Sequence, residues 1–260
     1  MRSEGNRGGP LIHPAAIIGS RVTLGAGCEI GPFCVLEGMV RLGARCRLKT
    51  GVVIGTEPMD RNYRGENSAV IIGVENIFFE FASVHRATGK DGITQIGDNN
   101  YIMSYVHIAH NCRIGSHCTL TSGVQLGGYV QVDDYANIGG LTGVHQFCRI
   151  GRLAMVGAYS YVNRDIPPFM LAAGNPCRVR GLNILGLQRA GYSGEKILII
   201  KDAFRIIYRS QLPFNVVLKK VEDELLSTVA AAEIRELVEF CNSSVRGIEL
   251  RTGRELETEL

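Results

Sequence analysis

Four histidines, His85, His107, His110 and His145, carry the chemistry most easily read from this sequence. Histidine ordinarily titrates near pH 6.5, so it can take and return a proton close to neutrality. His107 and His110 lie in the segment His107-Ile108-Ala109-His110-Asn111, and His145 follows Val144. Any one of them alone reads as an ordinary surface or satisfied core residue. Four at related positions of one repeat point instead to general acid–base chemistry, or to metal ligation.

The element that must position them is a repeat of six. From Ile96 to Val162 every sixth residue is aliphatic, through Ile102, Ile108, Ile114, Leu120, Leu126, Val132, Ile138, Val144, Ile150 and Val156. Neither a helix of 3.6 residues per turn nor an alternating strand demands that period. A stacked solenoid does, with each hexad supplying a short strand and a corner. The hexads of Ile108 and Val144 stand 36 residues apart, two coils of three hexads, so His110 and His145 fall on the same side. The pattern resembles the left-handed parallel β-helix. That hand opposes the usual crossover preference and rests on the repeat alone.

The repeat starts at Ile12 and runs through Ile18, Leu24, Ile30, Leu36, Leu42, Leu48 and Ile54. It breaks over residues 56–69, resumes through Ile72, Phe78 and Val84, breaks again near 89–95, and ends around 168 at Pro167-Pro168. Residues 1–11 form a disordered or extended tail, 12–168 the solenoid with its two loop excursions, and 169–260 a connecting segment and helical subdomain. Ser193-Gly194-Glu195 opens one helix, with Ile200, Ala203, Phe204, Ile207 and Tyr208 on one face. Pro213 precedes a second, near Asn215 to Leu226, and a third spans Ala230 to Phe240. This tail is expected to cover the open end of the solenoid.

Composition agrees with a narrow, frequently cornered interior: 260 residues hold 32 Gly and no Trp. A net charge of +3 is too mild for a nucleic-acid binder. The first eleven residues contain no signal-peptide core, and no stretch is long and apolar enough to span a bilayer; both point to the cytoplasm. Among the eight cysteines there is no CxxC pair. Cys28, Cys34, Cys46, Cys112, Cys118 and Cys148 each fall four places after a repeat aliphatic, the small inward position of the hexad, where cysteine serves as a small hydrophobe.

VHIAHNCRIG, IGGLTGVHQFCRIG, DIPPFMLAAGNP and the tail segment AFRIIYRS together resemble the bacterial UDP-N-acetylglucosamine acyltransferase family, which opens lipid A synthesis. The resemblance covers the chain from Ile12 onward. It implies a cytoplasmic homotrimer, acyl carrier protein as acyl donor, a UDP-amino sugar as acceptor, and neither metal nor other cofactor. It assigns His110 as general base, with Asn111 beside it, and Gly128 as the backbone N–H that stabilises the oxyanion. Asp60, His85, His107, His145, Gln146, Asn183 and Arg189 then fall at substrate-binding positions, and Ala158 where side-chain size limits acyl length.

The sequence also departs from the family. Asn111 stands where Asp is usual, Asn62 where Lys is, Ala190 where a second Arg is, Pro176 where His is, and Tyr129 where His is. An Asn carbonyl still orients an imidazole but cannot balance an imidazolium with a full charge. A 3-amino sugar is therefore an alternative acceptor, and a non-catalytic paralogue a second alternative. A third is a γ-type carbonic anhydrase with zinc on His85, His107 and His110. Lys196, Lys201, Arg205, Arg209, Lys219 and Lys220 form either a docking face for the acidic carrier protein or a plain solvated face.

Overall fold

The computed structural model describes residues 8–210 and 212–248. Most of the expected 1–11 tail and the end of the 169–260 segment lie outside the described residues. The sixfold spacing becomes three stacks of parallel strands, each strand only a few residues long. One coil is Tyr101–Ile102, His107–Ile108 and Arg113–Ile114; the next is Thr119–Leu120, Gln125–Leu126 and Gln131–Val132. Their aliphatics lie in register, Ile102 on Leu120, Ile108 on Leu126 and Ile114 on Val132. A parallel β-helix results, with the interior filled by stacked identical positions.

Two of every six side chains point inward. The hexad aliphatics from Ile30 to Val162 are buried, and so are the small residues two places before them, the six cysteines among them. Burial lifts the Cys112 and Cys118 thiols to about 12, so they remain protonated packing groups. Among the described residues the first coil has no neighbour beneath it, which leaves Ile12 exposed and Ile18 only half-buried.

Corners recur three residues after each aliphatic, where Asn111, Tyr129 and Phe147 take φ of 60°, 60° and 66°. Left-handed backbone costs an L-residue roughly 1–2 kcal/mol. Stacking offsets it, because each corner joins the one below, as in Tyr129 N–H to the His110 carbonyl at 3.0 Å. Asn is among the side chains that tolerate this region best.

Both excursions leave the corner between the eight-stranded and seven-stranded sheets, and the strands reach further into them than the hexad register implies. Val53–Thr56 and Ser68–Ile72 bracket the first, while Ser83–His85 and Gly92–Ile96 bracket the second. Gly92 to Ile96 pair residue for residue with Ser68 to Ile72, which shortens the second loop to a few residues.

After Val162, Met170–Ala173 continues the ten-stranded sheet in parallel, and Arg178–Leu182 folds back antiparallel upon it. Neither strand carries the hexad signal. Among the described residues four helices follow: α1 (Ile184–Arg189), α2 (Gly194–Arg209), α3 (Phe214–Leu225) and α4 (Ala231–Asn242). Ser193 caps α2, accepting the Lys196 N–H, and Pro213 precedes α3, as predicted; α1 is too short for periodicity to reveal. The apolar faces of α2, α3 and α4 join the core of the solenoid. Arg152 ties coil to helix: it holds Glu236 through two nitrogens at 2.9 and 2.6 Å and donates to Tyr192 Oη at 2.9 Å. Among the described residues no helix is long and apolar enough to cross a membrane.

Candidate active site

His107 and His110 come from one strand-and-corner unit and Gly128 from the coil above it; His145 and Gln146 lie one coil further. Together with Met59, Ala109, Gln125, Gly143 and Tyr161 they line an open groove of about 420 Å³. The groove follows the outward face of the eight-stranded sheet to its corner with the seven-stranded sheet. No Asp, Glu, Lys or Arg among the described residues lines it.

At that corner the His110 Nδ1 lies 2.9 Å from Asn111 Oδ1. The Asn111 amide is oriented by Thr88 of the second excursion, whose backbone N–H donates to Oδ1 at 2.9 Å while its carbonyl accepts from Nδ2 at 3.1 Å. A backbone N–H can only donate and a carbonyl can only accept, so the amide cannot be turned over. Oδ1 is therefore an acceptor, Nδ1 of neutral His110 bears the proton, and Nε2 presents a lone pair. The ring lies against Gly128, where a Cβ would stand 2.6 Å from Nε2 and 2.5 Å from Cε1. Only glycine leaves room for the imidazole. The Gly128 N–H has no hydrogen-bond partner among the described residues. A proton acceptor and an unspent backbone donor thus come from adjacent coils at one corner, the two kinds of group that base catalysis with oxyanion stabilisation requires.

His85, His107 and His145 are each fixed through Nδ1. His107 Nδ1 lies 3.0 Å from Ser83 Oγ, and its ring meets that of His85 edge-on at 5.1 Å. Burial, then the neighbouring His85 and His110, press the His107 pKa down to about 4. It is a neutral hydrogen-bonding group at physiological pH. His85 Nδ1 donates to the Glu57 carbonyl at 2.6 Å and His145 Nδ1 to the Gln146 carbonyl at 3.1 Å.

Other predicted residues stand apart within one chain. Asp60 lies on the first excursion, where its carboxylate accepts the Asn62 N–H at 2.9 Å, and its neighbour Met59 is what reaches the groove. Asn183 caps α1, accepting from Gly186 N–H and donating to the Leu153 carbonyl; Arg189 is exposed in the last turn of that helix. Ala158 is exposed at the opposite corner, between Met155–Val156 of the ten-stranded sheet and Tyr161–Val162 of the eight-stranded one. Among the described residues no group of three or more His, Cys, Asp or Glu is placed to hold a metal. In the basic tail, Lys196 pairs with Glu233, Arg205 with Asp202 and Lys220 with Glu224, which leaves Lys201, Arg209 and Lys219 without a carboxylate partner among the described residues.

Sequence reasoning missed Thr88, Gln125, Gly143 and Tyr161. The last three were within reach, since His107, Gln125, Gly143 and Tyr161 are the outward positions of successive coils at 18-residue intervals. Thr88 was not, because the excursion that carries it has no register.

Comparison with known proteins agrees along the chain. Residues 165–249 match the family described as Udp N-acetylglucosamine O-acyltransferase, domain 2, and residues 93–128 match bacterial transferase hexapeptide (six repeats). The acyl-(acyl-carrier-protein)–UDP-N-acetylglucosamine O-acyltransferase of Thermodesulfovibrio yellowstonii is 42% identical over 239 residues, 92% of each chain. That of Gloeothece citriformis is 45% identical over 210 residues, 81% of this chain and 75% of the relative. Among solved structures, the UDP-N-acetylglucosamine acyltransferase of Francisella novicida superposes with a TM-score of 0.84 at 32% identity, covering 94% of this chain and 96% of its own. That of Bacteroides fragilis gives 0.80 at 35% identity, over 92% and 97%.

Proposed function

The chain belongs to the UDP-N-acetylglucosamine O-acyltransferase family, and on that premise we propose that it moves a 3-hydroxylated fatty acyl group from acyl carrier protein to the 3-position of a UDP-N-acetylglucosamine-type sugar. His110 Nε2 removes the proton of the sugar 3-hydroxyl as that oxygen attacks the thioester carbonyl carbon. The Gly128 N–H receives the oxyanion of the tetrahedral intermediate. Its collapse breaks the C–S bond, and the departing thiolate takes the proton back from the His110 imidazolium. The products are the 3-O-acyl sugar nucleotide and the free thiol of the carrier protein, with no metal and no covalent enzyme intermediate. The observation that carries this reading is the free Nε2 of a His110 held by Asn111, set against an unspent Gly128 N–H.

Around that centre His107, His145 and Gln146 contact the sugar, with His85 behind His107 and Asp60 reaching in from the first excursion. Asn183 and Arg189 serve the nucleotide end, and the small Ala158 leaves room for a long chain. Their separation within one chain is met by a homotrimer, in which a neighbouring prism faces the groove. The solenoid is taken as left-handed, dividing near residue 168 from a helical subdomain whose Lys201, Arg209 and Lys219 dock the acidic carrier protein in the cytoplasm.

A second reading, acylation of a 3-amino sugar, is favoured by the Asn111 geometry. A neutral amide held by Thr88 gives the imidazolium no opposite charge, and an amine attacks through its own lone pair before any proton is lost. The test is an acyl-transfer assay with UDP-N-acetylglucosamine and its 3-amino analogue, across several 3-hydroxyacyl carrier proteins, for wild type and His110→Ala. Transfer that vanishes in the variant is expected, and the better acceptor decides between ester and amide. Undiminished transfer by His110→Ala overturns the mechanism; binding without turnover by the wild type indicates a non-catalytic paralogue.

A further inference from the structure

Asn111 Oδ1 receives three donors. Besides His110 Nδ1–H at 2.9 Å, it accepts the Thr88 backbone N–H at 2.9 Å and the Thr88 hydroxyl at 3.0 Å. A carbonyl oxygen has two lone pairs, and Thr88 alone brings enough protons to occupy both. The Thr88 hydroxyl lies 3.2 Å from Tyr129 Oη. Its single proton is spent on Asn111, so Tyr129 is the donor in that pair, and donation into the threonine oxygen strengthens the bond the threonine makes. The chain runs from Tyr129 O–H to Thr88 O–H to Asn111 Oδ1, where it competes with His110. Tyr129 is itself fixed, edge-on to His110 at 5.4 Å and stacked on Phe147 at 4.9 Å.

Resting on the reading of His110 as the base, we infer that Thr88 is a positioning residue for His110: it both orients Asn111 and occupies the oxygen that would otherwise favour the imidazolium. The physical reason is that both protonation states donate Nδ1–H to Oδ1, but the cation donates more strongly. An acceptor with a free lone pair therefore raises the histidine pKa, and an occupied one withholds that gain. The titratable groups facing the ring are His107, His145 and Tyr161 from the groove and Tyr129 from the next corner. None of them is a carboxylate. Thr88 thereby raises the fraction of enzyme in which Nε2 can accept a proton.

The test follows His110 directly. In full-length protein with labelled histidines, the His110 imidazole signal is identified by its loss in His110→Gln and titrated in wild type, Thr88→Val, Thr88→Ser and Tyr129→Phe. Thr88→Val keeps the backbone bonds that orient Asn111 and removes only the competing hydroxyl. The His110 pKa should rise by about half a unit, a roughly threefold gain in proton affinity. Tyr129→Phe should raise it by less, and Thr88→Ser should match wild type. The acidic limb of the kcat/KM profile should move with the titration. An unchanged or lowered His110 pKa in Thr88→Val, or the same rise in Thr88→Ser, overturns the inference. Because the titration is read without turnover, a His110 pKa that responds in a protein where His110→Ala still turns over sinks the base and spares the Thr88 linkage.

Discussion

Replacing Gly128 by Ala puts a methyl group where the His110 ring now lies. The added Cβ would stand 2.5 Å from His110 Cε1, 2.6 Å from Nε2 and 3.2 Å from Nδ1, against an ordinary contact of 3.4–4 Å. Relief requires the ring to withdraw by about 0.9 Å or more, the difference between 3.4 and 2.5 Å. Such a shift breaks the 2.9 Å bond to Asn111 and carries Nε2 away from the acceptor oxygen. A misplacement near 1 Å costs on the order of 100-fold in rate, or about 2.7 kcal/mol of transition-state stabilisation. Because the groove is open, the ring can swing toward solvent, and Gly128 does not have the positive φ that would strain an alanine. The expected result is kcat down about 100-fold, KM within a few-fold of wild type and the melting temperature within a few degrees. Steady-state transfer kinetics beside a thermal melt decide it. A Gly128→Ala enzyme with kcat within threefold of wild type would refute the placement of His110 against Gly128.

The pKa of His107, held near 4 against an ordinary 6.5, makes the fold pH-dependent. Between those values the unfolded chain binds the extra proton, so the contribution of His107 is full above about 6.5 and is lost as pH falls through 4. His107→Gln should lessen the loss of stability between pH 6.5 and 4, followed by denaturant melts across that range. Glu236→Ala removes the carboxylate that Arg152 grips through two nitrogens and leaves the guanidinium to Tyr192 and the face of Phe169. A loss of about 1.5–3 kcal/mol is expected, lowering the melting temperature by roughly 3–10 °C. Calorimetry checks it, and an unchanged melt would mean that α4 is held by its apolar face and the Lys196–Glu233 pair without help from Arg152.

What the sequence determined by itself is whatever repeats. The period of six required one strand and one corner per hexad, so the parallel coils, the inward aliphatics and the buried cysteines were all legible in the sequence. The same arithmetic put His110 and His145 on one side, and Ser193 and Pro213 marked two helix starts through capping and fixed φ, both local effects. The strands Met170–Ala173 and Arg178–Leu182 were illegible because they owe their conformation to the sheet they extend. The proton on His110 Nδ1 was illegible for a similar reason. It depends on Asn111, whose amide is oriented by Thr88, a residue 23 positions away on a loop outside the register. Only the folded chain brings that loop back to the corner and orders Asn111 among its donors.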